Sequence, residues 1–220
     1  MSNSDTFTVR PAPLNDRELP KRLPFTKMQG LGNDYIYVEE FTSPIARPAP
    51  LAAAMSDRHF GVGGDGLVLM GRPGDPQQAD FRMRIFNADG PEAEMCGNAT
   101  RCVGKYLFER GLTDKRLIRL ETLAGIRELA LEVGDDGGEA KVRSVRVSMG
   151  KPGLAPADIP MQAEGDAFIN RELTVKGTAY RGTAVSMGNP HLVVPVSGLA
   201  QLALAAVGPA FEHHRLFPRR

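Results

Sequence analysis

The segment FNADGPEAEMCGNATRC, residues 86–102, contains both cysteines of the chain, Cys96 and Cys102. Cys96 stands among Gly, Asn and other small residues, directly before a segment that is typical of a helix. The unpaired N–H groups and the positive end of the dipole at a helix N-terminus stabilise a thiolate. The same amides, those of Gly97 and Asn98, can bind a carboxylate. From these residues alone two interpretations stay open: a nucleophile or proton-transfer base, and a half-buried cysteine in a turn.

Cys102 belongs to a different pattern. It shares an apolar stripe with Val103, Tyr106 and Leu107 at helical spacing. A buried cysteine usually behaves as a small hydrophobic residue, so we predict that Cys102 is part of the core. In the cytosol, where we place the chain, both cysteines are expected to be free thiols.

Four asparagines lie in loops of small residues: Asn33, Asn87, Asn98 and Asn189. Each offers a hydrogen-bond donor and an acceptor without charge, which suits a zwitterionic ligand if the four converge. The alternative for each one is ordinary turn chemistry. His191 follows Asn189 by two residues, so on a strand both side chains share a face. Its imidazole could tune a thiol, or simply bond at a strand end.

Two further motifs predict no site. The cluster GVGGDG, residues 61–66, matches G-x-G-x-x-G, but a helix-like segment precedes it and a strand follows. A dinucleotide fingerprint needs the opposite order, so we predict a tight turn with positive φ. The pair His213–His214 could bind a metal, but no further Cys or His cluster lies near it in sequence. We expect a surface pair, and no metal and no cofactor.

Composition limits the classes of protein. The 220 residues carry 27 basic and 26 acidic side chains, so no nucleic-acid partner is indicated. We also expect no membrane partner, because no apolar run is long enough to span a bilayer. Residues 1–22 are polar, lack the apolar part of a signal peptide and predict a disordered leader. The predicted location is therefore cytoplasmic.

The elements that must position these residues predict an α/β chain. Strands are expected around residues 25–28, 35–38, 64–71 and 80–90, and a short helix is expected to end at Gly61. A helix follows Cys96, and three more alternating strands run to about residue 147. The pattern breaks near residues 150–152, which divides the chain into an N-terminal domain, 23–149, and a C-terminal part, 150–220. Strands flank SMGNPH, and a last helix is expected to end at Gly208–Pro209.

Four separated blocks resemble the diaminopimelate epimerase family, in the same order: KMQGLGNDYIYVE, RHFGVGGDGLVLM, MRIFNADGPEAEMCGNATRC and SMGNPHLVV. The resemblance implies interconversion of LL- and meso-2,6-diaminopimelate, on the route to lysine and peptidoglycan precursors, without pyridoxal phosphate or metal. It implies an α/β (α+β) fold of two pseudo-symmetric domains. In each of them a β-sheet wraps around a central helix, and the substrate lies between the domains. A homodimer is expected from the same resemblance.

The resemblance also assigns roles to residues. It makes Cys96 one member of a thiolate and thiol pair that exchanges a proton with the substrate. His191 matches a histidine that tunes this pair. The positions that match substrate-binding residues are Asn33, Asn87, Gly97, Asn98 and Asn189.

The chain departs from the family pattern after LFPRR, where a second cysteine loop would follow. Cys102 is too close to Cys96 in sequence to replace that cysteine. We therefore expect an incomplete second domain and no epimerisation by this chain alone. Two alternatives stay open: a related cofactor-independent racemase or isomerase, acting on proline, histidine or a phenazine precursor, and a non-catalytic remnant that binds diaminopimelate.

Overall fold

The computed structural model describes residues 22–219, so the predicted leader lies outside the described residues except for Arg22. The chain divides into two compact units, one ending at Ser148 and the other beginning at Met149. Within residues 22–219, no helix combines the length and the apolar character that a membrane crossing requires.

The first unit is built on an eight-stranded sheet in the order β1-β2-β3-β4-β6-β7-β8, with β5 paired to β4. The β2–β3 and β4–β6 pairs are parallel and the others antiparallel. The elements are β1 Thr26–Gly30, β2 Asn33–Glu39, α1 Pro48–Ser56, β3 Gly66–Gly71, β4 Phe81–Asn87, β5 Glu92–Ala93, α2 Gly97–Glu109, β6 Leu117–Thr122, β7 Gly125–Asp136 and β8 Glu139–Val147.

The sheet curls around α2. The helix contacts β1 and β2 near one end of the strand order and β7 and β8 at the other. Its apolar stripe, which includes Cys102, Val103 and Leu107, is buried against side chains from these strands. Burial of the stripe confirms that Cys102 is a core residue, and it determines which face of α2 packs against the sheet.

The opposite face of the sheet is covered by α1, where Leu51 and Ala52 pack against β2 and β3. This helix ends at Ser56, so the prediction that it continues to Gly61 is wrong. The Asp57 carboxylate accepts hydrogen bonds from the N–H groups of His59 and Phe60, at 2.8 and 2.9 Å. Such a side-chain turn replaces the helical bonds at this point.

The second unit contains a three-stranded antiparallel sheet in the order β11-β10-β9. Its elements are β9 Arg171–Val175, β10 Thr178–Ser186, β11 Pro190–Val193 and α3 Leu204–Glu212, with 3₁₀ turns at Pro156–Asp158 and Leu199–Gln201. A small core is formed by Ile159, Met161, Phe168 and Ala184.

The last helix does not end at Gly208–Pro209 as predicted. It begins at Leu204 and passes through Pro209 to Glu212. Proline removes one helical hydrogen bond, but its φ is compatible with a helix. The next turn still forms, because the His213 N–H donates to the Pro209 carbonyl at 3.0 Å.

Candidate active site

Cys96 is the N-cap residue of α2, directly before the helix. Its backbone is extended, with φ −137° and ψ 112°, and the helix starts at Gly97. The Cys96 carbonyl accepts the Thr100 N–H and the Thr100 hydroxyl, both at 2.9 Å. Its half-buried thiol therefore lies at the helix N-terminus, where the first N–H groups have no partner within the helix.

Asn33 is brought to the same helix terminus by the β1–β2 hairpin. Gly30 and Asn33 form the last pair of the hairpin, and the two turn residues between them have φ of 52° and 92°. A Cβ added to Gly30 would lie 3.0 Å from the Asn98 carbonyl oxygen, so this position needs glycine for the close approach. As a result, Asn98 Nδ2 donates to Asn33 Oδ1 at 2.6 Å.

An ion-paired network lies behind Asn33. Asn33 Nδ2 donates to Asp65 Oδ2 at 3.2 Å, and the Asp34 N–H donates to the same oxygen at 3.1 Å. Arg58 donates a hydrogen bond to Asp65 at 2.9 Å and one to each carboxylate oxygen of Asp34, at 2.7 and 3.1 Å. The hydrogen bonds from Arg58, and then from Lys27, hold the pKa of the Asp34 carboxyl well below its usual range.

Asn87 stands at the end of β4, opposite Gly66 of β3. Its N–H donates to the Pro91 carbonyl and its carbonyl accepts the Gly90 N–H, both at 2.9 Å, which closes the loop that leads to Cys96. The next residue, Ala88, donates its N–H to the Asp65 carbonyl at 3.1 Å. Asp65 therefore joins the Asn33 hairpin to the Asn87 loop.

Tyr35 is a neighbour of Cys96 that the sequence analysis missed. Burial, and then the adjacent Cys96, raises the pKa of the Tyr35 hydroxyl far above its usual value, so the phenol stays protonated. Tyr35 is two residues after Asn33 on β2, and strand alternation alone would have placed both on one face. Arg58, Asp65 and Arg101, which donates to Asn98 Oδ1, were also missed, since no local pattern marks them.

Asn189 and His191 belong to the second unit, at the β10–β11 hairpin. His191 Nε2 lies 3.1 Å from Asn189 Oδ1, and both residues are exposed. His191 also lines an apolar cavity of about 470 Å³ within this unit. That Asn189 and His191 lie near Cys96 stays a prediction.

The glycine cluster, residues 61–66, forms the predicted turn, whereas in the histidine pair only His213 is exposed and His214 is half-buried. No helix follows residues 61–66; β3 begins at Gly66, and Gly63 has the positive φ, 78°, of the predicted turn. His213 Nδ1 lies 2.8 Å from the Pro209 carbonyl oxygen. Among residues 22–219 there is no group of three side chains that could bind a metal.

Comparison with solved structures defines the class of fold. A hydroxyproline epimerase from Agrobacterium vitis, solved with bound trans-4-hydroxy-L-proline, superposes with a TM-score of 0.56 over 81% of this chain and 53% of that one. Only 16% of residues are identical, so this likeness concerns the fold alone.

Sequence comparison then gives the family. Residues 25–155 match the family model of diaminopimelate epimerase. The diaminopimelate epimerase of Acetivibrio thermocellus is 53% identical over 196 residues, which are 89% of this chain and 68% of that protein. The corresponding enzyme of Desulfovibrio desulfuricans is 51% identical over 206 residues, 90% of this chain and 69% of that protein. The chain belongs to the diaminopimelate epimerase family, which confirms the resemblance.

Proposed function

We propose that this chain acts on 2,6-diaminopimelate and that Cys96 carries out the thiol-based proton transfer at one α-carbon by which the family interconverts the LL and meso forms. The observation that carries the proposal is a half-buried thiol at the N-terminus of α2 with two asparagine amides beside it. In a chain 53% identical to a diaminopimelate epimerase, this is the arrangement that such a reaction needs.

The proton transfer uses Cys96. Its thiolate takes the α-proton: the C–H bond breaks, an S–H bond forms, and the electron pair stays on the substrate, delocalised into the α-carboxylate. The N–H groups of Gly97 and Asn98 bind that carboxylate and stabilise the charge that develops on it. In the reverse direction the thiol returns the proton to the same face of the carbon.

Inversion needs an acid on the opposite face of the α-carbon. Cys102 does not supply it, because this side chain is only 6% exposed and is part of the core around α2. We infer that Asn33 and Asn87 of the first unit, and Asn189 of the second, bind the polar ends of the substrate. His191 is assigned the tuning of thiol ionisation.

The test is deuterium exchange. LL-diaminopimelate is incubated with the purified chain in D₂O, and loss of the α-proton and formation of the meso isomer are followed separately. We expect exchange that Cys96→Ser abolishes and that Cys102→Ala, the matched cysteine control, retains. Exchange with meso product would show an acid on the opposite face and contradict the expectation that this chain alone does not epimerise. Exchange without inversion supports Cys96 as the base and contradicts epimerisation by this chain alone.

A binding measurement covers the case in which no exchange is seen. The rate of alkylation of Cys96 by iodoacetamide is measured with and without diaminopimelate, proline or histidine. Slower alkylation with diaminopimelate only supports the assigned substrate. Protection by proline or histidine instead, or by none of the three, overturns the assignment.

A further inference from the structure

We propose that Asp65, held by Arg58, is a positioning residue that sets the direction of the Asn33 and Asn98 side-chain amides so that both present N–H donors to a substrate carboxylate. This inference rests on the proposed function, in which both asparagines bind substrate. It adds a residue that contacts the binding groups and not the substrate.

The direction of Asn33 follows from the chemistry of its partner. A carboxylate can only accept hydrogen bonds, so the end of the Asn33 amide that lies 3.2 Å from Asp65 Oδ2 must be its NH₂ group. The oxygen of Asn33 is then at the other end, where it accepts from Asn98 Nδ2 at 2.6 Å.

The hydrogen bond between Arg101 and Asn98, at the other end of this chain of bonds, requires the same orientation of the amides. Arg101 donates through Nη2 to Asn98 Oδ1, and a guanidinium can only donate. The carboxylate at one end and the guanidinium at the other therefore require the same orientation of both amides. A reversed Asn33 would set its oxygen against the Asp65 carboxylate and its NH₂ against that of Asn98, which are two repulsive contacts.

This direction decides what the asparagines offer to a ligand. An amide NH₂ carries two hydrogens, and each asparagine uses one of them in the chain of bonds. The second hydrogen of each can be donated to a ligand oxygen. An acceptor group, such as one of the two carboxylates of diaminopimelate, fits that pair of donors.

Asp65 is itself held from several sides. Its Oδ1 binds Arg58 at 2.9 Å, and its Oδ2 accepts the Asp34 N–H at 3.1 Å. Its backbone N–H donates to the Asp34 carbonyl at 2.6 Å, and its carbonyl accepts the Ala88 N–H at 3.1 Å. With main chain and side chain both fixed, the carboxylate can impose a direction on a neutral amide.

Asp65→Asn tests the proposal, because asparagine keeps the shape of the side chain but can show Asn33 either a donor or an acceptor. We expect diaminopimelate to protect Cys96 from iodoacetamide with about tenfold weaker affinity, since a hydrogen bond to a charged group is lost. Protection is measured relative to the alkylation rate of each variant without ligand. Arg101→Gln, at the other end of the chain of bonds, should weaken protection in the same direction.

Asp80→Asn is the matched control. Asp80 also pairs with a cation, Lys115, and accepts a backbone N–H, from Arg119, both at 2.7 Å. It directly precedes β4, whereas Asp65 lies beside the residues that end β4, so the two carboxylates are at opposite ends of that strand. Both Asn variants should lower the melting temperature, but only Asp65→Asn should weaken protection.

Two failures are distinguishable. If diaminopimelate does not protect the unmodified chain, the proposed function fails, and the role of Asp65 in binding fails with it. If the unmodified chain is protected and Asp65→Asn is protected equally well, only the role of Asp65 is overturned. Weaker protection in Asp80→Asn as well, in proportion to lost stability, would also overturn it and leave Asp65 a purely structural residue.

Discussion

At Asp34 a single carboxylate shows how charge is organised beside the candidate site. It accepts two hydrogen bonds from Arg58 and lies 3.0 Å from Lys27 Nζ, and its side chain is only 19% exposed. The cations stabilise the ionised form, which is why the pKa of the folded carboxyl is low. The pairing ties β1 and β2 to the loop after α1, and it keeps Arg58 in place for Asp65.

The low pKa of Asp34 predicts a pH dependence of stability. A carboxyl whose folded pKa is depressed stabilises the fold above its unfolded pKa of 3.8, and this contribution is lost as the pH falls through the folded value. We expect the free energy of unfolding in urea to be smaller at about pH 3 than at about pH 6. Asp34→Asn should reduce this difference.

Arg58→Gln is the companion variant, because it removes the largest cause of the shift and should reduce the pH dependence in the same way. The dependence should not vanish in either variant, since the pKa values of Asp80 and Glu109 are lowered as well. An unchanged difference between the two pH values in both variants would contradict the assignment.

Among the elements, the contact between the β1–β2 hairpin and the first turn of α2 matters most for the site. The hairpin carries Asn33, the helix carries Asn98, and Cys96 directly precedes the helix. Because the sheet curls around α2, both ends of its strand order contact the helix, and its N-terminus is held against the hairpin. The distance between the two asparagines depends on how closely these elements approach.

Gly30→Ala tests that approach. An added methyl would lie 3.0 Å from the Asn98 carbonyl oxygen and 3.4 Å from its Cβ, so the hairpin and helix must separate by a few tenths of an ångström. We expect a loss of about 1 kcal/mol in the free energy of unfolding, from overpacking. Diaminopimelate should also protect Cys96 less well, because the Asn33–Asn98 hydrogen bond lengthens.

Gly74→Ala is the control for the loss of glycine. Its added Cβ would meet the Glu121 carboxylate at 3.6 Å, an ordinary contact, so stability and protection should stay near those of the unmodified chain. If Gly30→Ala and Gly74→Ala have the same stability and the same protection of Cys96, close packing at Gly30 matters for neither.

At the scale of the whole molecule, the two units differ in how much apolar surface they bury. The main core of the first unit joins α2 to six strands, and a second cluster lies under α1. The core cluster of the second unit has four buried residues, Leu173 and Val175 are buried besides it, and no residue of α3 is fully buried. Since burial supplies most of the stabilisation of a fold, the two units should resist opening to different degrees.

Hydrogen exchange followed by mass spectrometry measures this difference. Peptides from β3 and β4 should exchange at least about tenfold more slowly than peptides from β9 and β10, where fewer apolar contacts oppose local opening. Peptides from β6 and β7 serve as an internal control and should resemble β3. Equal protection in all these strands would mean that the chain opens as one cooperative unit.

Local patterns were sufficient for much of the fold. The apolar stripe of α2, the alternating strands and the small residues before the helix are properties of neighbours in sequence, and they predicted a buried Cys102 and a Cys96 at a helix start. Local patterns failed at two helix ends. α1 ended early, where the Asp57 carboxylate accepts the next backbone N–H groups, and α3 continued through Pro209.

The residues themselves determined that a thiol would stand at a helix N-terminus, because helix starts and apolar stripes are set by short-range propensity and periodicity. Tertiary structure alone decided that Asp65, Asn33 and Asn98 would meet. These contacts join positions 32 and 65 residues apart. They exist because parallel pairing of β2 with β3, and curling of the sheet around α2, bring separate loops to one place. The direction of each amide is a property of its partners in space, and no local pattern encodes it.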